Sequence, residues 1–211
     1  MIYLIGGPSR SGKTILAKRL QERTGAYLIP LDYVEAAVTE YFPEQDKLKL
    51  RPFSTLRDKT DRDNDRLVEE FPVQEIIDAY EKQGESVWKG IMAIINYELQ
   101  RKDSIIIEGY QITPSFVVSV LNKYENSKIR SIFLVKEDVD SILKGWEHLP
   151  ENDWLCNSSD STLRKYAELT AQYGLFVSGK ANELGLTSLN TEKNFEHNIE
   201  SALSILLDTN S

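Results

Sequence analysis

Apolar residues in this chain occur either in short continuous runs or at every third or fourth position over longer stretches. A short apolar run is typical of a strand buried on both faces of a parallel sheet, whereas the wider spacing is typical of a helix with one buried face. Strands are predicted at residues 2–6, 26–31, 104–108, 129–135 and 186–189. Because helices separate these strands, we predict a three-layer α/β fold, a five-stranded parallel sheet with helices on both faces.

The helices are predicted from the same spacing and from residue types that favour helix ends. The first contains Ile15 to Leu20 and stops at Gly25, because glycine is favoured just after a helix. Thr113 and Pro114 favour an N-cap and a first helical position, so another helix is predicted to begin there. Further helices are predicted at residues 34–41, 88–99, 137–145, 162–185 and 194–207.

Residues 43–70 have a different composition from the rest of the chain. They contain seven basic and eight acidic residues and few apolar ones. Such a stretch lacks the apolar surface that packing needs. We therefore predict a solvated, mobile insert between elements of the core.

Composition narrows the possible partners and settings. The 211 residues carry a formal charge of −8, which argues against a nucleic-acid partner, since binding a phosphate backbone needs clustered positive charge. No apolar run approaches the roughly 20 residues that span a bilayer, so no membrane partner is expected. The single cysteine, Cys156, excludes an internal disulfide. With no secretion signal at the N-terminus, a cytoplasmic location is expected. The oligomeric state is left open.

The strongest motif lies directly after the first predicted strand. Residues 7–14 read Gly-Pro-Ser-Arg-Ser-Gly-Lys-Thr and match the phosphate-loop pattern G-x-x-x-x-G-K-[ST] in full. Backbone N–H groups of such a loop form a concave site for phosphate, and the following helix adds donors at its N-terminus. The predicted nucleotide-binding residues are Gly7, Pro8, Ser9, Arg10, Ser11, Gly12, Lys13, Thr14 and Ile15.

Two residues of the motif also have chemical roles. The ammonium group of Lys13 is expected to contact the β- and γ-phosphates, and the hydroxyl of Thr14 can ligate Mg²⁺. ATP and Mg²⁺ are therefore the expected cofactors.

The opening of the chain resembles that of P-loop small-molecule kinases of the adenylate, shikimate and 2-phosphoglycerate kinase type. A second segment, Trp88-Lys89-Gly90-Ile91 followed by residues 105–109 and Pro114, is similar to 2-phosphoglycerate-kinase-like proteins. The resemblance covers about half of the chain and implies one P-loop kinase-like domain over residues 1–211. Two positions depart from the pattern: Arg10 stands where such kinases commonly have glycine, and Ile15 where they often have Ser or Thr.

Two acidic residues follow predicted strands. Ligands of open α/β sheets bind beyond the carboxyl ends of the strands, where Asp32 and Glu108 are expected. A kinase of this type needs one carboxylate to hold Mg²⁺ and often another to accept the proton of the acceptor. We favour Glu108 as the Walker B-like acid and Asp32 as the acceptor-side base, with the exchanged roles open. Asp32 could instead be a helix N-cap, and Glu108 a solvent-facing or paired acid.

Arginines are the expected partners of an anionic acceptor, since their planar fork matches phosphate and carboxylate oxygens. Arg51 and Arg57 are the preferred pair, although each could simply be solvated. The resemblance places a lid at residues 146–161, and arginines in such lids stabilise the transferring phosphoryl group. The predicted lid has none, so Arg164 is the catalytic candidate, with a surface role as the alternative. Trp146 and Trp154 are expected to pack within the lid rather than stack on a base.

We thus expect an ATP-dependent kinase that phosphorylates a small anionic or hydroxyl-bearing metabolite or nucleotide. One alternative is a nucleotide-binding regulatory protein without catalysis. The departures at Arg10 and Ile15 and the missing lid arginine favour this alternative. The other is a GTPase-type switch. That class carries N/T-K-x-D and D-x-x-G motifs, and residues 122–125, Asn-Lys-Tyr-Glu, only approach the first.

Overall fold

A computed structural model of the protein describes residues 1–124, 128–147, 153, 155–156 and 158–208. The strands are β1 (Ile2–Gly6), β2 (Tyr27–Pro30), β3 (Ile105–Glu108), β4 (Ile129–Val135) and β5 (Ser188–Asn190). They form one parallel sheet in the order β2-β3-β1-β4-β5. The prediction of a five-stranded parallel sheet is confirmed.

Helices connect the strands and cover both faces of the sheet. Within the described residues they are α1 (Lys13–Thr24), α2 (Leu31–Thr39), α3 (Glu44–Leu50), α4 (Pro52–Lys59), α5 (Asn64–Glu70), α6 (Val73–Ser86), α7 (Trp88–Arg101), α8 (Pro114–Lys123), α9 (Val139–Gly145), α10 (Asp160–Glu183) and α11 (Phe195–Leu207). Thr113 caps α8 by accepting a hydrogen bond from the N–H of Phe116, as its residue type predicts. None of the helices described combines the length and the apolar character that crossing a bilayer requires.

The apolar run of β1 is buried on both sides of the sheet. Ile2 and Leu4 belong to a cluster that includes residues of α7, α8 and α10. Tyr3 and Ile5 belong to a second cluster, which includes residues of α1 and α11. Successive side chains of a strand point to opposite faces, so a continuous apolar run is the pattern expected for this central position.

The prediction of a solvated, mobile insert at residues 43–70 was wrong in that the segment packs against the rest of the fold. The segment forms α3, α4 and α5, and Leu56, Leu67 and Val68 are buried. They join a third apolar cluster with residues of α6, α9 and α10. Few apolar residues suffice here because α4 and α5 place theirs on the same neighbouring surface. Helix α6 was not predicted, although Val73, Ile76, Ile77 and Tyr80 have helical spacing.

Two glycines of α10 give a matched test of how this helix packs on the sheet. A Cβ on Gly174 would lie 2.0 Å from the carbonyl oxygen of Lys136, at the end of β4, whereas a Cβ on Gly179 would have no neighbour within 4 Å. We expect Gly174→Ala to lower the free energy of unfolding by about 1–3 kcal/mol through overpacking. Gly179→Ala should raise it by about 0.5–1 kcal/mol through helix propensity. Urea denaturation measures both, and equal midpoints would contradict the packing described.

Candidate functional site

The phosphate loop connects β1 to α1, the order that the sequence predicted. Gly7 and Gly12 have φ angles of 126° and 102°, which side chains with a Cβ rarely adopt. A Cβ on Gly7 would also lie 1.9 Å from the carbonyl oxygen of Leu134. Gly12 is the N-cap of α1, so the helix begins with Lys13 and its N-terminal donors face the loop. The hydroxyl of Thr191, which follows β5, donates a hydrogen bond to the carbonyl of Ser11 at 2.8 Å.

The first departure from the kinase pattern, Arg10, is accommodated by the backbone of the loop and by contacts of its side chain. Its φ angle of 62° lies in the left-handed region, where glycine is favoured. For a residue with a Cβ, this backbone conformation is about 1–2 kcal/mol less favourable than the right-handed one. The side chain forms an ion pair with Asp153, and its guanidinium lies 5.4 Å from the ring centroid of Trp146. Arg10 therefore contacts the segment predicted to be a lid.

Lys13 is buried behind the loop. Its Nζ donates a hydrogen bond to the carbonyl oxygen of Pro8 at 2.6 Å. Burial lowers the pKa of Lys13 to about 8, and the nearby carboxylates of Glu108 and Asp32 oppose that shift. An ammonium with so little hydration interacts strongly with an anion that enters beside it.

Glu108 ends β3 and is also buried. The Thr14 hydroxyl donates a hydrogen bond to Oε1 of Glu108 at 3.1 Å. Burial raises the pKa of Glu108, whereas Lys13 and the Thr14 hydrogen bond lower it. Asp32 lies in the first turn of α2, one residue beyond the helix start, and is exposed. It is therefore not an N-cap.

These side chains share one cavity of about 240 Å³ at the carboxyl edge of the sheet. Its lining includes Lys13, Thr14, Asp32 and Glu108. No group of three or more His, Cys, Asp and Glu side chains among the described residues could hold a metal ion. Mg²⁺ does not need one, since it is usually held by one or two protein oxygens together with substrate phosphates and water. The neighbouring Thr14 hydroxyl and Glu108 carboxylate fit that pattern.

The remaining predicted residues are spread more widely. Arg57 lines a second cavity beside the loop. Arg51 donates a hydrogen bond to the hydroxyl of Ser54 at 3.3 Å and lines neither cavity. Arg164 is exposed on α10 and pairs with Asp140 of α9 at 3.2 Å. The structure thus does not bring Arg164 to the loop, because its side chain leaves the helix towards α9.

The segment predicted to be a lid is described only in part. Trp146 is buried in the third apolar cluster together with Leu155, and it also lines the second cavity; that it packs rather than stacks on a base stays a prediction. Trp154 lies outside the described residues. Ile15, the second departure from the kinase pattern, is 43% exposed and lines a surface depression with Gly12 and Phe195.

The structure resembles that of a gluconokinase from Sinorhizobium meliloti 1021, with a TM-score of 0.52 over 97% of this chain and 90% of that chain. The chain has a P-loop kinase fold. It shares this fold with the gluconokinase at a sequence identity of only 12%. A shikimate kinase from Bacteroides thetaiotaomicron gives a TM-score of 0.45, 13% identity and coverage of 97% and 94%. No protein-family model and no curated protein matches the sequence.

The lowered pKa of Lys13 predicts a pH dependence for this P-loop. As pH rises through about 8, the free protein loses the Lys13 proton and with it the positive charge. A bound polyphosphate favours the charged form, so binding above this pH must take up a proton. We expect affinity for ATP to fall up to about tenfold per pH unit above that point. Calorimetry in buffers of different ionisation enthalpy measures the number of protons taken up on ATP binding. If no proton is taken up at pH 8–9, Lys13 does not contact the phosphates with a lowered pKa.

Proposed function

We propose that the protein transfers the γ-phosphoryl group of ATP to a small-molecule acceptor. The observation that carries the proposal is the shared cavity in which Lys13, Thr14, Glu108 and Asp32 meet beside the phosphate loop. A phosphate-binding loop alone would fit any nucleotide-binding protein. Two carboxylates at the same place supply what phosphoryl transfer needs in addition, a metal-side oxygen and a base for the acceptor.

Each residue has a role that its position supports. The N–H groups of the loop and Lys13 bind the phosphates, and the hydrogen-bonded pair Thr14–Glu108 offers two oxygens for Mg²⁺. Mg²⁺, when bound, neutralises phosphate charge. Asp32 is exposed within the cavity and makes no such contact with Thr14. We therefore assign Asp32 to the acceptor, where it orients a hydroxyl group and accepts its proton.

Arginines complete the proposed site in a way that differs from the sequence prediction. Arg10 lines both cavities beside the loop, and Arg57 lines one of them. We assign to Arg10 the role expected of Arg164, since Arg10 lines both cavities and its guanidinium contacts Asp153 and Trp146 of the predicted lid. Arg57 is the residue for an anionic group of the acceptor.

A turnover assay tests the proposal. The protein is incubated with Mg²⁺ and ATP or GTP, with and without a panel of small hydroxyl-bearing and phosphorylated metabolites, and nucleoside diphosphate release is followed. We expect ATP turnover that one class of acceptor stimulates. Slow turnover of GTP alone would favour a switch, and binding without any turnover would favour a regulatory protein.

A further inference from the structure

The second cavity beside the phosphate loop has an unusual wall. It measures about 210 Å³, and Pro8, Ser9 and Arg10 of the loop form part of its lining. Its lining is rich in aromatic residues, namely Phe53, Tyr80, Trp146, Tyr166 and Tyr173, beside the aliphatic Ile77, Leu155 and Leu169. Ser9, Arg10 and Tyr80 line this cavity and the cavity of Lys13 and Glu108, so the two adjoin. A molecule in the second cavity would therefore lie next to the cavity that Asp32 and Glu108 line.

Contacts among the rings hold the wall in place. The Tyr80 ring meets Phe53 edge-on at 4.9 Å between centroids and Tyr173 edge-on at 5.8 Å. Its other neighbour, Tyr110, is stacked on it at 3.8 Å. Interlocked rings of this kind lose little freedom when a ligand binds.

The tyrosine hydroxyls on this wall already have partners within the protein. Tyr80 shares a hydrogen bond with the hydroxyl of Ser9 at 3.4 Å. Tyr173 donates to the carbonyl of Tyr110 at 3.4 Å, and Tyr166 donates to Oδ1 of Asn64 at 3.3 Å. The tyrosines therefore offer mainly ring faces and edges to a ligand, whereas the buried indole N–H of Trp146, which has no hydrogen-bond partner among the described residues, remains available as a donor. Burial raises the pKa of Tyr80 and of Tyr173, so both phenols stay neutral.

These features discriminate between acceptor classes. A saturated polyol would leave several hydroxyl groups against ring carbons without hydrogen bonds, which is unfavourable in a closed site. A flat ring stacks on aromatic faces and needs few polar partners. Arg57, which lines the cavity, suits a negative or electron-rich edge of such a ring.

We propose that the acceptor is an alcohol with a flat aromatic or heteroaromatic ring, which lies in the aromatic-lined cavity beside the phosphate loop while its hydroxyl-bearing arm extends to Asp32 and Glu108. This rests on the kinase function proposed above. In the transfer, the acceptor oxygen forms a bond to the γ-phosphorus of ATP as the bond to the β-phosphate oxygen breaks. The hydroxyl proton passes to Asp32, and the products are the phosphorylated alcohol and ADP.

The test compares two classes of small probe on the same protein. Thymidine and pyridoxine are the flat-ring alcohols, and ribitol and threonate are the saturated ones. Saturation-transfer NMR in the presence of a non-hydrolysable ATP analogue measures binding, and ADP release with ATP measures turnover. We expect at least one flat-ring alcohol to bind and to be phosphorylated at least tenfold more efficiently than both saturated probes. Equal use of the two classes, or preference for the saturated one, would overturn the inference.

Variants separate this inference from the kinase proposal. Phe53→Leu should weaken binding of the preferred flat-ring alcohol at least fivefold, and Phe53→Tyr should restore most of it. Tyr27→Leu is the matched control, since Tyr27 is 64% exposed at the start of β2, the end of the sheet away from the loop. ATP affinity should be unchanged in all three. Turnover of ribitol or threonate alone would refute the flat-ring acceptor and leave the kinase intact, whereas failure to bind ATP would refute the kinase itself.

Discussion

Replacement of Lys13 by alanine is expected to lower kcat/KM at least about a hundredfold while the protein still folds. Lys13 is the buried ammonium of the cavity that it shares with Glu108 and Asp32. A water molecule that enters in place of the Lys13 ammonium carries no charge and is not held in a fixed orientation. The substitution therefore removes electrostatic stabilisation of the transferring phosphoryl group. Steady-state kinetics measure the effect, and circular dichroism confirms the fold.

Two further variants make the Lys13 result interpretable. Lys13→Met keeps most of the buried stem and removes only the charge, so it separates electrostatics from packing. Lys18→Ala removes an exposed lysine from the same helix and should leave kcat/KM within about twofold of the wild type. A Lys13→Met protein that turned over ATP within threefold of the wild type would remove Lys13 from the mechanism.

Glu108→Gln is expected to slow phosphoryl transfer at least about a hundredfold. The substitution preserves the shape of the side chain but removes the negative charge next to the Thr14 hydroxyl. If Glu108 holds Mg²⁺, the half-maximal Mg²⁺ concentration should rise as well. Activity measured over a Mg²⁺ titration gives both values, and Glu22→Gln, on the exposed face of α1, is the control.

The same titration decides which carboxylate has which role. Asp32→Asn should lower kcat without moving the Mg²⁺ requirement, because Asp32 is assigned to the acceptor. The opposite pattern would exchange the two roles. A loss of tenfold or less in Glu108→Gln would identify Glu108 as a structural acid paired with Thr14.

Local patterns explain why the sheet and the phosphate loop could be predicted. Buried parallel strands leave continuous apolar runs, and the loop needs glycine where φ is positive, as at Gly7 and Gly12. Glu108 and Asp32 followed from the rule that ligands bind at strand ends. Each of these inferences uses neighbours along the chain, so one sequence is enough to make it.

Features that depend on distant segments could not be predicted in this way. The insert was expected to be solvated because residues 43–70 contain few apolar residues, yet Leu56 and Leu67 reach a surface made by α6 and α10. The aromatic cavity combines rings from α4, α6 and α10 with Trp146, and no sequence spacing relates rings on different elements. The direction of the Arg164 side chain likewise depends on Asp140 of α9.

The most direct test is calorimetric titration of the wild-type protein with ATP in the presence of Mg²⁺. The structure predicts saturable binding of one ATP per chain, at least about tenfold weaker in Lys13→Met. A folded wild-type protein that released or absorbed no heat with ATP, at several temperatures and with Mg²⁺ present, would contradict the proposal that this loop binds a nucleotide.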